Sequence, residues 1–336
     1  MDIGKLPADL LGKLLSTAST TDSRVLLGPR VGADAAVIDM RNTVLVVKSD
    51  PVTFAADRIG WYAVQVNAND IACLGATAKW FLATVLLPEG AAPELAEEIF
   101  SEITEACAEL GVALVGGHTE ITYGLTRLIV SGHMLGEAKK ADVVWPGGAR
   151  PGDALLLTQG LAIEGTALLA REAPNALRDG GMSDADVAAA ASLLESPGIS
   201  VVHAAQIACS VATAHAMHDP TEGGIATGLA ELASAAEVGL EVSADALHVL
   251  SETHAVCRAL GLDPLGLLAS GALLMAVAPD EVEVVQTALS QEDVPSQVIG
   301  SVTEASEGLR LRNDNGLVAL PTFARDELAR FMSLSS

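Results

Sequence analysis

The sequence has 336 residues, of which 50% are hydrophobic, 18% charged and 3% aromatic. At roughly 100 to 200 residues per domain, this length predicts two domains with mainly aliphatic cores and excludes a single small module. The formal net charge of −24 excludes nucleic acid and anionic membranes as expected partners, because such a field repels phosphates. Nucleotide binding stays open, because carboxylates recruit divalent cations that hold phosphates.

The start of the chain and its cysteines favour a cytoplasmic protein. The first residues lack an apolar core followed by a small-residue cleavage site, so no secretory signal is predicted. Four scattered cysteines without a CxxC pair argue against a disulfide framework or a zinc knuckle. The uncharged stretch 196–217 contains Pro197 and Gly198, and it predicts a buried helix and strand instead of a membrane span.

In the first half of the chain, short apolar strands alternate with helices. The predicted elements are strands at 44–47, 80–87, 112–116 and 125–135 and helices at 58–74 and 93–110. This rhythm is typical of an α/β or α+β fold. The close succession of the last two strands predicts that they are antiparallel neighbours in a mixed sheet.

The second half repeats the rhythm. Segment 145–153 has Pro or Gly at five of nine positions, which predicts a boundary between domains 1–148 and 149–336. The predicted elements are strands at 154–158, 212–217 and 272–278 and helices at 163–172, 184–195, after Gly198, up to about Ala236, and at 280–290. NDNG at 313–316 predicts a hairpin turn.

Two acidic residues flank the first strands. VGADAAVIDM, 31–40, presents Gly32 and Asp34 in a turn before a strand, where Asp34 also suits an Asx turn. In KSDPVTF, 48–54, Asp50 lies at the carboxyl end of a strand, where α/β sheets place ligand-contacting groups, and Pro51 is expected to stop the ladder.

Polar residues also interrupt a predicted buried helix in QVNANDIACLGA, 65–76. Asn67, Asn69 and Asp70 would be costly there unless they are hydrogen-bonded or bound to a ligand. A local polar network explains them as well as a ligand does. Both interpretations stay open from the sequence.

The motif VGGHTE, 115–120, is interpreted as a strand end. Gly116 and Gly117 would let a phosphate approach backbone N–H groups, although a tight turn explains them equally. His118, Thr119 and Glu120 follow and could act near a transferred group.

HDPTEGG, 218–224, is the most informative motif. Asp219 ends a strand, Pro220 prevents its continuation, and Gly223 and Gly224 open a helix whose amino terminus attracts anions. Helix capping by Thr221 or Asp219 is the alternative interpretation. TQGLAIEGTALLA, 158–170, similarly runs from strand through a turn to a helix, with Glu164 in its first turn.

Four carboxylates thus lie in turns or polar breaks beside apolar structure. They are Asp34, Asp50, Asp70 and Asp219. Because Mg²⁺ takes oxygen ligands and leaves coordination sites for phosphates, this set predicts a Mg²⁺–nucleotide site between the two domains. The sequence has neither a GxxxxGK[ST] loop nor a kinase signature set, so the expected ATP site is of another kind.

The motifs together resemble a known superfamily over most of the chain. It comprises aminoimidazole ribonucleotide (AIR) synthetase, the hydrogenase maturation protein HypE, selenophosphate synthetase and thiamine-monophosphate kinase. VGADAAV, SDP and NANDIACLGA resemble its glycine–aspartate loop, strand-end aspartate and NxND helix. HDPTEGG resembles the DPTxGG segment of the HypE branch, and TQGLAIEGTALLA and ASGALLMAV look like HypE-type segments.

The resemblance implies a two-domain PurM-like fold with mixed sheets, and a homodimer in which the N-terminal domains pair into a β-barrel-like sheet. It also implies ATP with Mg²⁺ in the cleft. The metal and phosphate ligands would be Asp34, Asp50, Asp70 and Asp219; Asn67 and Asn69 would orient the site; Gly32, Gly116, Gly117, Thr221, Gly223 and Gly224 would lie near the cofactor; and His118, Thr119 and Glu120 would be catalytic.

Two departures from the HypE pattern predict a different substrate. HypE proteins end in a reactive cysteine, whereas the printed sequence ends in FMSLSS, and Glu222 stands where many HypE sequences have an arginine. The expected function is an ATP- and Mg²⁺-dependent enzyme that phosphorylates an amide or carbonyl oxygen to drive dehydration or cyclisation. The alternatives are a non-catalytic nucleotide-binding subunit that acts through a protein partner and a kinase of the thiamine-monophosphate type.

Overall fold

A computed structural model describes residues 6, 8–18, 21–33 and 35–334. The strands are β1 Val25–Leu27, β2 Ala36–Asp39, β3 Thr43–Val52, β4 Thr77–Pro88, β5 Ala113–Thr122, β6 Ile129–Lys139, β7 Ala154–Thr158, β8 Ala216–His218, β9 Gly239–Ser243, β10 Leu274–Val277, β11 Ser296–Thr303, β12 Leu309–Asn313 and β13 Gly316–Ala319. The helices are α1 Ala8–Leu15, α2 Ile59–Cys73, α3 Pro93–Glu109, α4 Ile163–Glu172, α5 Pro174–Asp179, α6 Asp184–Ser192, α7 Val202–Val211, α8 Gly224–Ala236, α9 Ser251–Leu260, α10 Val282–Gln291 and α11 Glu327–Leu334.

The described residues form two compact units. The N-terminal unit contains 21–29 and 35–143, and the C-terminal unit contains the remaining described residues, including 30–33. Segment 30–33 joins the C-terminal unit because Gly32 packs on α8, where an added Cβ would lie 3.3 Å from the Ala235 Cβ atom. The division into domains 1–148 and 149–336 stays a prediction.

The N-terminal unit is built on a six-stranded mixed sheet in the order β1-β2-β3-β6-β4-β5. Helix α2 is buried along nearly its whole length, and it packs against α3 and against β3 and β6. The predicted elements of this half and its mixed sheet are confirmed. The burial of α2 on all sides explains why apolar residues surround its few polar ones.

The predicted pairing of the third and fourth strands of this half is wrong. β5 pairs with β4 in parallel, and β6 lies on the other side of β4, antiparallel to both β3 and β4. Helix α3 provides the crossover that a parallel β4–β5 pair requires. Although β5 and β6 follow each other closely in the chain, β4 lies between them in the sheet.

Two strands continue through residues that were expected to end them. β3 extends past Asp50, and Pro51 lies opposite Ser131 of β6. Because β2 pairs with β3 only as far as Val47, Pro51 has a single strand neighbour and its missing N–H breaks no second ladder. β5 likewise runs through the paired glycines to Thr122 instead of ending at 116.

The C-terminal unit is built on a seven-stranded mixed sheet in the order β13-β12-β9-β11-β7-β10-β8. The predicted β7, β8 and β10, the helices of this half and the hairpin at Asn313 and Gly316 are confirmed. The elements that the sequence did not predict are β1, β9, β11, α1, α5, α9 and α11. Most are short, and their composition signals are correspondingly weak.

One described helical stretch, Asp184–Val211, meets the length and hydropathy criteria for a membrane span, with a mean hydropathy of 1.3. Ser196 inside it is extended, with φ −144° and ψ 111°, so the stretch comprises separate helices. The stretch ends with α7, which buries Ala204, Ala205 and Ala208, and β8 follows. Core helices of globular domains satisfy the same criteria.

Candidate functional site

The N-terminal unit brings two of the predicted ligands to one face of β3. Lys48 and Asp50 are two residues apart, so their side chains project from the same face of the strand. The Lys48 Nζ atom lies 3.0 Å from Asp70 Oδ2 and 3.6 Å from Asp50 Oδ2. The Asp70 side chain is 6% exposed and that of Asp50 is 42% exposed, so the pair extends from the interior to the surface.

Asn67 attaches α2 to the same strand. Its Nδ2 group donates to the Asp50 carbonyl at 3.2 Å and to the Ala63 carbonyl at 2.8 Å. The side chain is fully buried, and its Oδ1 atom accepts no hydrogen bond from any described residue. Asn69 is also fully buried. The predicted burial of these polar residues is thus confirmed, and one buried acceptor is left over beside Asp50.

The close packing of α2 depends on a glycine of β6. Gly132 is the register partner of Asp50, and a Cβ atom there would lie 2.4 Å from the Asn67 amide nitrogen. The missing side chain lets Asn67 approach the sheet directly beneath Asp50. No local pattern indicates this role, because Gly132 is distant from both residues in the chain.

His118, Thr119 and Glu120 lie on β5 at the edge of the sheet. His118 Nε2 is 3.0 Å from Glu120 Oε2, and the Thr122 hydroxyl donates to Glu120 Oε1 at 3.0 Å. These hydrogen bonds, first from His118 and then from Thr122, lower the pKa of the Glu120 carboxyl. All three predicted catalytic residues are exposed, with Glu120 held ionised beside the imidazole.

The structure separates this group from Asp50 and Asp70 within the unit. Gly117, Ala83, Gly132 and Asp50 lie in one row across four adjacent strands. Three strand spacings of roughly 4.8 Å place Gly117 about 14 Å from Asp50. The His118 group and the aspartates therefore do not touch within one sheet.

The two glycines of β5 have different surroundings. At Gly117, with φ +149°, an added Cβ would lie 1.9 Å from the Ala83 carbonyl oxygen. At Gly116, with φ +156°, the nearest atom would be 3.9 Å away. Close strand packing thus requires glycine at 117. This replaces the expected tight turn, and phosphate contact at either position stays a prediction.

In the C-terminal unit, several polar groups meet at one end of the sheet. Asp219 directly follows β8, and Glu164 lies in the first turn of α4, which follows β7. Leu274, at the start of β10, pairs with both Leu157 and His218, so these strand ends are adjacent. Asp219 is 1% exposed and Glu164 is 8% exposed. The side chain of His218 lies 3.1 Å from Glu231 Oε2 on α8.

The amino terminus of α8, which the sequence predicts to attract an anion, contacts a carboxylate of the chain itself. Gly223 is the N-cap in left-handed conformation, and its N–H donates to Asp326 Oδ2 at 2.6 Å. The alternative interpretation, with Thr221 or Asp219 as the helix cap, is corrected because Gly223 occupies the N-cap position of α8. Gly224 packs closely on the Leu265 carbonyl oxygen, which would lie 2.4 Å from an added Cβ atom. The Thr221 backbone oxygen accepts hydrogen bonds from the N–H groups of Gly224 and Ala269.

Burial changes the protonation of two of these carboxyls. Burial, followed by the negative charges of Asp326, Glu222 and Asp219, raises the pKa of Glu164 to about 7. Burial also raises the pKa of Asp326 to about 6, against the hydrogen bonds from Gly223 and Leu328. Glu164 therefore changes charge close to neutral pH, as proton donors and acceptors do in many active sites.

The remaining predicted residues are Gly32 and Asp34. Gly32 has φ +77° and lies beside α8. A Cβ atom added to it would lie 3.3 Å from the Glu231 carbonyl oxygen. Asp34 lies outside the described residues. Sequence reasoning missed Lys48 and Asp326. Strand alternation with Asp50 could have indicated Lys48, whereas no local signal connects Asp326 with Gly223.

Among the residues that the structure describes, no group of three or more His, Cys, Asp or Glu side chains is arranged to hold a metal ion. Asp50 and Asp70 supply two carboxylates, with the buried Asn67 carbonyl oxygen nearby. Oxygen donors of this type suit Mg²⁺, which keeps several waters or phosphate oxygens in its shell and needs only one or two protein carboxylates. The donor set therefore fits a phosphate-bound Mg²⁺ ion.

Both halves of the chain match the models of one family. Residues 32–138 match the N-terminal domain of the AIR synthase related proteins, and residues 150–311 match the C-terminal domain. The carbamoyl dehydratase HypE of Rhodobacter capsulatus is 30% identical over 279 residues, which is 79% of this chain and 76% of the relative. The chain belongs to the AIR synthase related protein family.

Further proteins are similar to this chain over most of their length. The carbamoyl dehydratase HypE of Rhizobium leguminosarum is 29% identical, covering 77% of this chain and 73% of the relative. A crystal structure of the hydrogenase maturation protein HypE in complex with ATP is 23% identical, with a TM-score of 0.72, over 95% of this chain and 91% of that one.

Two further structural relatives share the fold. A HypE–HypF complex matches with a TM-score of 0.71 at 21% identity, over 87% of this chain and 94% of that one. ThiL complexed with AMPPCP and TMP matches with a TM-score of 0.69 at 21% identity, over 90% and 91%. The predicted two-domain PurM-like fold with mixed sheets is confirmed.

Proposed function

We propose that this protein is an ATP- and Mg²⁺-dependent enzyme of the HypE type, which phosphorylates an amide or carbonyl oxygen and thereby drives dehydration or cyclisation. The observation that carries the proposal is the arrangement of Asp50 and Asp70 around Lys48, beside the unpaired Asn67 oxygen. Membership of a family whose members include carbamoyl dehydratases supports the reaction type.

The carboxylates would hold the metal. Asp50 and Asp70, with Asp34 and Asp219, are the proposed ligands of Mg²⁺. Asn67 fixes α2 against β3 through the Asp50 carbonyl, and Asn69 is proposed to help orient the site. When bound, Mg²⁺ neutralises charge on the phosphates and holds them for transfer. The backbone around Gly116, Gly117, Gly223 and Gly224, together with Gly32 and Thr221, is proposed to line the phosphate path.

With an amide substrate, the proposed reaction transfers the γ-phosphoryl group of ATP to the amide oxygen. The amide oxygen attacks the γ-phosphorus of ATP, an O–P bond forms, and the bond to the β-phosphate oxygen breaks with release of ADP. Loss of the two nitrogen-bound protons and departure of the oxygen with the phosphoryl group then yield a nitrile, phosphate and one proton in solution. In the cyclising variant, an internal amine displaces the phosphorylated oxygen instead.

His118, Thr119 and Glu120 are proposed to act near the transferred group. The Glu120 carboxylate lies 3.0 Å from His118 Nε2 and so orients the imidazole toward the transferred group. Because these residues lie about 14 Å from Asp50 across their own sheet, we propose that β5 serves a site completed in a homodimer.

Two other assignments have some support. The structural likeness to ThiL supports a thiamine-monophosphate-type kinase as a secondary candidate. The likeness to HypE in a HypE–HypF complex supports a protein partner, either for the enzyme or for a non-catalytic nucleotide-binding subunit. We further propose that the protein acts in the cytoplasm, without nucleic acid or membrane partners. The acceptor is a small molecule or a protein group.

The proposal is tested by ATP binding and hydrolysis. Calorimetry and phosphate release are measured with and without Mg²⁺ for the wild type, Asp70→Ala and Asp219→Ala, with the exposed Asp142→Ala as the control. We expect Mg²⁺-dependent ATP binding by the wild type and the control, and at least about a tenfold loss in both site variants, because each removes a charge-assisted metal or phosphate contact worth more than 1.4 kcal/mol.

The outcomes separate the candidates. No measurable ATP binding by the wild type would contradict the proposal. Binding without turnover across a panel of amides and carbamoyl compounds, with a co-purifying protein, would favour the non-catalytic subunit. Formation of phosphorylated thiamine monophosphate would identify the kinase.

A further inference from the structure

A lysine occupies the position between the two proposed metal ligands. The Lys48 ammonium lies 3.0 Å from Asp70 and 3.6 Å from Asp50, and its side chain is only 16% exposed. The contact to Asp70 is largely shielded from water, so it is stronger than a surface ion pair. An ammonium group at this place occupies carboxylate oxygens that a divalent cation would need.

Like charges prevent both cations from sharing the same oxygens. A divalent cation on Asp50 and Asp70 would lie within a few ångströms of the ammonium and would repel it. Lysine can respond because its charge sits on a flexible four-carbon chain with rotatable donors. Asp50 lies on β3 and Asp70 on the buried helix α2, so both carboxylates are held in place. The Lys48 ammonium is therefore the group that can move.

The summed charge of these three side chains indicates which kind of ligand the displaced Lys48 ammonium would contact. Lys48, Asp50 and Asp70 together carry a net charge of −1, which disfavours phosphate. A divalent cation changes the sum to +1, which favours an anion such as a nucleotide triphosphate. The Asn67 side chain, which contacts the Asp50 carbonyl, also has a buried Oδ1 atom that accepts no hydrogen bond from a described residue and could contact a ligand here.

We propose that Lys48 is a specificity-determining residue of the nucleotide site: its ammonium holds Asp50 and Asp70 when no divalent cation is bound and contacts a phosphate oxygen when one is. This inference rests on the proposed function. It makes metal and nucleotide binding interdependent, because the cation alone must displace the ammonium, whereas the metal–nucleotide pair gives the ammonium a new anionic partner.

The test measures two affinities that should change in opposite directions. Mn²⁺ binding without nucleotide is followed by electron paramagnetic resonance, and binding of a non-hydrolysable ATP analogue with Mg²⁺ is followed by calorimetry. For Lys48→Met we expect Mn²⁺ affinity to rise about tenfold and analogue affinity to fall about tenfold. Lys48→Gln should behave similarly, and Lys48→Arg should retain most of the analogue affinity. Lys79→Met, an exposed lysine on β4, is the matched control and should change neither.

A purely structural lysine would not produce this crossed result. Mn²⁺ affinity that is unchanged or weaker in both neutral variants would overturn the inference, as would unchanged analogue affinity beside a wild type that binds. If the wild type binds no analogue, the proposed function fails, and the Mn²⁺ measurement alone still decides whether Lys48 occupies the carboxylates. Thermal unfolding of each variant identifies a folding defect, and Lys48→Gln then replaces Lys48→Met.

Discussion

At the scale of single residues, Glu164 shows how burial can prepare a carboxyl for proton transfer. Its pKa of about 7 arises mainly from burial and then from neighbouring carboxylates. A folded-state pKa above the unfolded value of 4.5 stabilises the protein at low pH. That contribution is complete below about pH 4.5 and is lost as the pH rises through 7. Asp326, raised to about 6, acts in the same direction.

We therefore predict that Glu164→Gln stabilises the protein at alkaline pH. Glutamine needs no proton to stay neutral, so the variant should unfold with a free energy up to about 3 kcal/mol higher at pH 8 and similar to wild type at pH 4. Urea unfolding followed by circular dichroism at several pH values measures this. Glu283→Gln, at an exposed position of α10, is the control. A difference that does not vary with pH would contradict the prediction.

Element boundaries and strand pairing were not equally predictable. The runs of Val and Leu in β3, β4 and β7 and the apolar helix α2 are local patterns, and the sequence predicted them. The order of strands is a long-range property. β6 lies between β3 and β4 and is antiparallel to both, while α3 connects β4 to β5, which is parallel to β4. The prediction that β5 and β6 pair because they are consecutive in the chain was therefore wrong.

At the same scale, the two glycines of β5 give a matched prediction. Gly117→Ala places a methyl group against the Ala83 carbonyl, while Gly116→Ala makes only an ordinary contact with Leu82, 3.9 Å away, at a similar backbone angle. We expect Gly117→Ala to reduce the free energy of unfolding by about 1 to 3 kcal/mol more than Gly116→Ala, as overpacking does elsewhere. Thermal unfolding of both variants tests this. Equal losses would mean that backbone angle, not the approach of β4, makes glycine necessary.

At the scale of the whole molecule, β5 is an edge strand with exposed apolar side chains. Val115 is 54% exposed and Ile121 is 62% exposed. An edge of this kind can pair with another strand. The homodimer that the family resemblance implies would cover it.

We predict that the wild type is a dimer and that Ile121→Lys yields monomers. A charge at this position opposes burial of the strand edge and would have to be desolvated in the interface. Size-exclusion chromatography with light scattering measures the mass. Val211→Lys, an exposed apolar position in the C-terminal unit, should remain dimeric. A monomeric wild type would rule out the homodimer at the concentrations used.

The sequence by itself determined the α/β class and most element positions, because strands, helices and turns follow from local periodicity and backbone preference. The family followed from the resemblance of its ordered motifs. The sequence placed Asp50, Asn67, Asp70 and Asp219 beside apolar elements, as the structure confirms. Only the tertiary structure decided that Lys48 bridges two aspartates and that Asp326, 103 residues from Gly223, accepts from the start of α8. Such contacts depend on which elements pack together, a balance of burial and charge that no local pattern encodes.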